Sequence, residues 1–429
     1  MIESLKSILL VVLIGTSLYQ SFLLSSYSPP KIEPIQQSNY VQTETLGKQM
    51  ELQDMLFPDQ IILHLGNQQH SVLYPNNFYY TRVLDNIKQR SFKGFRKTSM
   101  YLVNVNWEEV RTKQLGVEIR FRDGIPFTIL QQLFRIEGDI PVDNDKITRI
   151  WIYSKGTNDE VRAFFFTDSP GVGYEVISAD FTSKDVENFS AYGEPTNLYK
   201  TTNSGDYYLP IKPLSLPSYT IPYTLLTADE LKQSLFVDPG ITRYLRERDG
   251  SEIYTDSKRG FQLNRDLRWI TYSDPVAPAA SKTEVLDDLM LGIKFINQHI
   301  GWDGKYMLSH TPQRQLMDNQ TFAFRQYFES LPIVTAQADG FGTLNIQVQK
   351  GVVSGFGRSM IIPDLKGASR KDGELISGDV LEERLQAYKN RSSILSIFPA
   401  YRPSIGEKSI TLTSTWALEL RDGSYDFID

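Results

Sequence analysis

Ile147-Thr-Arg-Ile-Trp-Ile-Tyr153 decides how the rest of the chain is read, because its apolar residues alternate. Successive side chains of a strand point to opposite faces, so alternation marks a strand with a buried side. The neighbouring sequence repeats the pattern. Residues 117–121 alternate in the same way, and residues 160–166 end in Phe164-Phe165-Phe166. Nearer the N-terminus, residues 60–65 and 69–73 flank Gly66-Asn67, a hairpin signal. Residues 78–90 interrupt the strands with helical spacing that puts Phe78, Val83, Leu84 and Ile87 on one side. Strands following strands, with few helices between, predict an α+β fold with antiparallel sheets.

Toward the C-terminus the composition breaks at residues 207–222, where Pro210, Pro213, Pro217 and Pro222 punctuate the chain. Proline lacks an amide hydrogen, so this stretch reads as a linker or a draped extended segment and not as an inner strand. Thr227-Ala-Asp-Glu230 then has the form of a capping box opening a helix. Ser281-Lys-Thr-Glu284 has the same form, with a helix expected to about His299, and another helix is expected from Asp379 to about Tyr388. One internal echo stands out: Arg248-Asp-Gly-Ser-Glu-Ile-Tyr-Thr-Asp256 and Arg421-Asp-Gly-Ser-Tyr-Asp-Phe-Ile-Asp429 share R-D-G-S-x-x-[Y/F]-x-D. Asp-Gly is turn chemistry and the aromatic begins a return strand, so the echo favours two similar α+β domains in tandem.

At the other end, residues 7–30 carry no charge over 24 positions, and residues 31–49 form a polar tether. Residues 8–24 are roughly 25 Å long as a helix, and three more residues bring the run to about the 30 Å of a bilayer core. A cleaved signal fits poorly: Leu23 and Leu24 sit where small residues are needed, and Pro29 would adjoin a cut after Ser28. No cysteine follows, which excludes a lipid-modified anchor. The expectation is a retained membrane helix with the N-terminus inside and the bulk of the chain outside. Ser17, Ser21 and Ser25 recur four residues apart, Gln20 lies beside them, and Leu10, Leu13, Ile14 and Leu24 complete the stripe. Small-xxx-small spacing lets membrane helices approach closely, and a glutamine amide in lipid favours a partner. The same seam admits a second copy of the chain.

Chemistry is sparse. The 429 residues include no cysteine, which excludes disulfides, zinc–thiolate sites and thiol nucleophiles. A formal charge of −6 argues against nucleic acid and against a polybasic grip on lipid. His64 and His70 straddle the Gly66-Asn67 turn within reach of each other, but no acid lies between them, so they read as two ordinary strand residues. His299 closes a helix, where a cation suits the dipole, and His310 has no distinctive context. Gly340-Phe-Gly342 and Gly355-Phe-Gly357 read as turns, and Asp143-Asn-Asp145 lacks the glycine and glutamate of a calcium loop. Asp287-Asp288 and Glu382-Glu383 are consecutive on helices and read as solvated faces. No catalytic, cofactor or metal set assembles, and a non-enzymatic protein is expected.

Three segments carry a family resemblance. They are Leu5-Lys-Ser-Ile-Leu-Leu-Val11, the long motif Phe236-Val-Asp-Pro-Gly-Ile-Thr-Arg-Tyr-Leu-Arg-Glu-Arg-Asp-Gly-Ser-Glu-Ile-Tyr-Thr-Asp256 with Arg259-Gly-Phe-Gln-Leu263, and Phe324-Arg-Gln-Tyr-Phe-Glu-Ser-Leu-Pro332. In order and spacing the chain resembles the YycH family, membrane-anchored accessory proteins of an essential cell-wall sensor kinase in low-GC Gram-positive bacteria. Tyr19 and Tyr27 stand where that family's anchor would carry tryptophans. The resemblance implies an exported part of three domains, the last two related to each other and to a companion, YycI. It implies regulation of the WalK histidine kinase in the membrane. The expected division is 1–30 anchor, 31–200 N-terminal domain, 201–276 central domain and 277–429 C-terminal domain. Asp238, Arg243, Arg246, Arg248 and Asp249 in the long motif mark either an interaction surface or an internal ion-pair network. The rival functional class is a tethered receptor for a wall fragment or peptide.

Overall fold

The computed structural model describes residues 2–26, 47–139, 145–155, 160–202, 207–275, 284–312, 319–337, 339–349 and 351–429. The chain divides into two compact units, residues 1–42 and 43–429. The first contains one helix, Ile2–Ser26, of 25 residues, in which the Thr16 hydroxyl donates back to the Val12 and Leu13 carbonyls. Among the described residues no helix is long and apolar enough to cross a membrane; the side chains at 2–5, 8, 11 and 23–26 lie outside that description. The tether expected at residues 31–49 is described only from residue 47.

The second unit begins with a ten-stranded sheet. Its strands in chain order are β1 (Gln60–Leu65), β2 (His70–Leu73), β3 (Ser91–Ser99), β4 (Leu115–Pro126), β5 (Arg135–Glu137), β6 (Lys146–Ser154), β7 (Val161–Thr167), β8 (Val172–Ala179), β9 (Leu198–Thr201) and β10 (Tyr208–Pro210). They lie side by side in the order β10-β9-β2-β1-β4-β6-β7-β8-β3-β5, all antiparallel except the β3–β5 pair. Gly66, Asn67 and Gln68 take left-handed backbone at the β1–β2 turn, and Leu65 N donates to the Gln69 carbonyl. One face of the sheet packs Ile61, Val117, Ile150 and Phe165 against helices Phe78–Gln89 and Ser183–Ala191. The other face is covered too. Trp151, Phe164 and Phe166 gather with Met100 and Val110, while Ile62, Val72 and Tyr208 join Leu381, Trp416 and Leu418 from the end of the chain.

The remainder forms two larger sheets and one two-stranded pair, the eleventh strand with the twenty-fourth. Strands β11 (Leu214–Ser215), β12 (Ser218–Leu225), β13 (Arg243–Arg246), β14 (Glu252–Thr255), β15 (Gly260–Asn264) and β16 (Trp269–Ser273) precede a helix at Val285–Gln298. After it come β17 (Lys305–His310), β18 (Asn319–Phe328), β19 (Leu331–Pro332), β20 (Thr343–Gln349), β21 (Val352–Ser359), β22 (Ile361–Pro363), β23 (Ser369–Lys371), β24 (Glu374–Leu375), β25 (Ile394–Ile405), β26 (Ser409–Leu420) and β27 (Tyr425–Ile428). The order β13-β14-β15-β16-β21-β20-β18-β17 makes one antiparallel sheet, with β19 on β18. A second sheet runs β22-β12-β26-β25, with β23 on β12 and β27 on β26. The expected boundaries at 30/31 and 276/277 lie outside the described residues, and 200/201 falls within β9.

Several expectations are corrected. Phe78 is exposed and Tyr80 takes its place in the core, its hydroxyl donating to the Pro58 carbonyl. The proline-rich stretch contains β12, an inner strand. Pro222 is tolerated there because it sits where one neighbour ends and another begins: β23 pairs residues 218–220 and β22 pairs residues 223–225. The helix expected from Ser281 starts after Glu284, which makes no side-chain cap; residues 281–283 lie outside the described residues. Asp288 is buried in that helix's first turn, where the backbone dipole suits an anion, although Asp287 is exposed. Gly355 and Gly357 are in β21 and not in a turn, and a Cβ on Gly357 would meet the Trp269 ring at 3.1 Å.

The two R-D-G-S copies fold into the same turn. Asp249 accepts from the Ser251 amide and hydroxyl, and Asp422 does so from Ser424. Gly250 and Gly423 both have positive φ, at 88° and 82°. One turn joins β13 to β14 and the other β26 to β27.

Candidate functional site

Strand β4 runs Val117-Glu-Ile-Arg-Phe-Arg-Asp123, with apolar side chains toward the helices and Glu118, Arg120 and Arg122 on the other face. That charged face is enclosed. Glu118 is fully buried, with Arg120 Nε at 2.8 Å, Arg149 Nη1 at 3.4 Å and His64 Nε2 at 3.4 Å from its carboxyl. The Tyr208 hydroxyl donates to the same group at 3.2 Å. Burial alone would raise this carboxyl, but Arg120, His64 and Arg149 outweigh it and hold it well below the usual carboxylate range.

His64 and His70 do meet, Nδ1 to Nδ1 at 3.0 Å across the hairpin, and neither is exposed. They are not ordinary strand residues. Burial pushes both below the usual histidine value, His70 to about 3 with His64 adding to the effect. Both are therefore neutral at pH 7, and His64 stacks on Trp151 with centroids 4.9 Å apart. Among the described residues no group of acids and histidines is arranged to hold a metal ion. The charges of Glu118, Arg120 and Arg149 serve one another, while His70 Nε2 is buried without a hydrogen-bond partner among the described residues.

Beside it, β4 meets the second C-terminal sheet across a cavity of about 310 Å³ lined by Arg120, Arg122, Arg149, Phe398 and Glu419. Arg122 ties the two halves together. Its Nη2 is 2.9 Å from Asp59 Oδ1, its Nε is 3.8 Å from Glu419, and its guanidinium lies 3.4 Å over the Phe398 ring. Burial also lifts the Glu419 carboxyl above its usual range. His310 does have a context: its Nδ1 is 2.9 Å from Asp123, which also pairs with Lys146 Nζ at 3.0 Å. His299 is not a solvated cation at a helix end. It is buried, its ring faces the Ser234 carbonyl, and burial lowers its basicity.

The long motif places its charged residues on a projecting hairpin. Asp238 caps a short 3-10 turn by accepting from the Gly240 amide, and Asp249 shapes the β13–β14 turn. Arg243 and Arg246 are exposed on β13 and Arg248 is exposed in the turn. Among the described residues no carboxylate lies within ion-pair distance of these three, and the ion pairs nearby are Arg265–Glu252 and Arg259–Asp274. On the N-terminal helix, Leu10, Leu13, Ile14, Ser17, Gln20 and Ser21 are exposed, while the Leu24 and Ser25 side chains lie outside the described residues. Reading the sequence alone missed Glu118 and Arg122. The only signal was the run of charges at 118, 120 and 122, which looks the same whether that face meets water or another sheet.

Comparison with known proteins bears on the whole chain. The model for the YycH protein N-terminal domain matches residues 3–192, and that for the YycH protein C-terminal domain matches residues 204–428. The two-component system WalR/WalK regulatory protein YycH of Bacillus subtilis (strain 168) is 19% identical over 97% of this chain and 94% of that protein. The crystal structure of YycH from Bacillus subtilis superposes with a TM-score of 0.71 at 17% identity, covering 90% of this chain and 99% of that one. Two family models that together span nearly all of a chain with this fold leave one conclusion: the chain belongs to the YycH family.

Proposed function

We propose that this protein is a non-enzymatic accessory regulator of a cell-wall two-component system, acting on a WalK-like sensor histidine kinase together with a YycI-like companion. The observation that carries the reading is the chain-long match to a relative that is itself named as a WalR/WalK regulatory protein. The site chemistry is consistent with it: Glu118, His64 and His70 are buried against one another and do not line the neighbouring cavity.

In this proposal the uncharged residues 7–30 anchor the protein in the plasma membrane, N-terminus inside and the rest outside, and the helix Ile2–Ser26 supplies the spanning element. A single-pass kinase signals by small shifts of its membrane helices, and a helix that binds one arrangement better shifts the equilibrium by its differential affinity. A preference of about 1.4 kcal/mol changes the ratio roughly tenfold. One glutamine hydrogen bond and a small-residue seam through Ser17, Gln20 and Ser21 are of that order. The exported sheets set register with the companion.

A reporter of kinase output tests the division of labour in cells lacking the native protein. One version keeps residues 1–40; the other keeps residues 31–429 behind an unrelated membrane helix. Restored output with the first version places the effector in the helix, and with the second in the exported part. Output unaffected by deleting the whole protein refutes the regulatory reading. A second reading, a tethered receptor, draws on the cavity beside Arg122, and binding of muropeptides that is abolished by Arg149→Ala would favour it.

A further inference from the structure

We infer that the free edge of β13 is a docking site for an extended segment of a partner protein that presents an acidic–apolar–apolar–acidic run. Strand β13 ends its sheet and, among the described residues, pairs only with β14. All of its residues are exposed, with Tyr244 at 53% and Leu245 at 56%. Large apolar side chains on an unpaired edge are a recognition feature that monomeric proteins ordinarily avoid.

The edge has backbone groups to offer. Glu247 N donates to the Ser251 carbonyl at 2.9 Å, which makes residues 247 and 251 a hydrogen-bonded pair. Bonded and non-bonded pairs alternate along an antiparallel ladder, so Arg243 and Leu245 bond inward to β14. The N–H and C=O groups of Tyr244 and Arg246 therefore point outward. On one face Tyr244 continues an aromatic row into the core, 5.3 Å from Tyr254, which lies 5.0 Å from Phe261. That row fixes the edge, so little ordering is left for binding.

Charge selects the occupant. Arg243 and Arg246 bracket Tyr244-Leu245, and Glu252, opposite Arg246 in register, is engaged by Arg265 at 2.6 Å and 3.0 Å. A second copy of β13 is repelled in either direction: antiparallel pairing sets Arg243 against Arg246, and parallel pairing sets each arginine against itself. Like charges directly opposite are destabilising. A strand reading acidic–apolar–apolar–acidic meets each arginine with a carboxylate and each apolar side chain with its like. The pattern reads nearly the same both ways, so either strand direction fits. This inference deepens the regulatory reading above by naming the chemistry of one extracytoplasmic partner, and it rests on that reading only in taking the partner to be a protein.

The chain contains no cysteine, so Arg248→Cys in the full-length protein gives one thiol beside the edge. Peptides carrying cysteine on a Gly-Gly spacer before Glu-Val-Val-Glu, Lys-Val-Val-Lys or Glu-Pro-Pro-Glu are equilibrated with it in a thiol–disulfide buffer, and the disulfide-linked fraction is read. The first peptide is expected to exceed the second by about tenfold, since two cross-strand pairs change sign. The proline peptide keeps the charge, cannot pair, and is expected to fall to the level of the second. Arg243→Glu with Arg246→Glu is expected to invert the order of the valine peptides. Equal linkage of all three, no inversion, or strong linkage of the proline peptide overturns the inference. A positive result in a protein whose deletion leaves kinase output unchanged would overturn the regulatory reading and leave the edge standing.

Discussion

Glu118 and His70 show how a residue can be decisive without touching a ligand. Replacing Glu118 by Gln keeps the shape and leaves Arg120 and Arg149 beside a neutral amide in an enclosed site. The expected cost is about 3 kcal/mol, read as a lower urea midpoint with an unchanged slope. His70 gives a pH dependence with a definite sign. The unfolded chain takes up a proton on this ring near pH 6.5, but the folded chain does so only at about 3. Between those values the unfolded state holds more protons, so stability is complete above pH 6.5 and is lost as the pH falls. Roughly 2 kcal/mol should disappear between pH 7 and pH 5, since one pH unit is worth about 1.4 kcal/mol per proton. Glu118 adds to the loss only at lower pH, because its own unfolded value is 4.5. Buried His64 and His299 are lowered from the same unfolded value and add to the loss in the same window, so His70→Gln should reduce the slope between pH 7 and 5 without abolishing it; an unaltered slope would assign it to those other groups.

At the scale of elements, local rules were legible and tertiary cover was not. Thr227 and Glu230 announce their helix in sequence and make both bonds of the capping box, so Thr227→Ala should cost about 1 kcal/mol in denaturant unfolding. The β1–β2 hairpin was equally readable, because Gly66-Asn67 prefers the backbone its turn requires. Phe78 was misplaced although the spacing itself favours Tyr80: residues 80, 83, 84 and 87 recur at i, i+3, i+4 and i+7, while 78 falls on the opposite side of the helix, and Tyr80 also finds a buried acceptor at Pro58. Pro222 misled for a different reason: whether a missing amide hydrogen matters depends on where the neighbouring strands stop. The N-terminal helix carries its own prediction. Ser17→Leu, Gln20→Leu and Ser21→Leu together should abolish regulation and leave the protein in the membrane fraction; retained regulation would show that this face makes no contact.

Across the molecule, the charged face of β4 illustrates what a single sequence withholds. Residues 118, 120 and 122 announce a polar side of a strand, yet a sheet some 270 residues later in the chain closes over it. The second unit is welded by such long-range cover: Ile62 and Val72 share a cluster with Trp416 and Leu418, and Lys48 pairs with Trp302 at 2.9 Å in both directions. Proteins of this size ordinarily unfold through intermediates, but here the first sheet and the last strands share one apolar cluster. A single calorimetric transition is therefore expected, with calorimetric and van't Hoff enthalpies equal. Arg122→Leu should lower that transition by about 3 kcal/mol, because it leaves Asp59 buried without its guanidinium. The transition should nonetheless stay single, since the shared apolar cluster survives the substitution. Two resolved transitions in the Arg122→Leu protein alone would instead make this arginine, and not the apolar contacts, the tie between the halves.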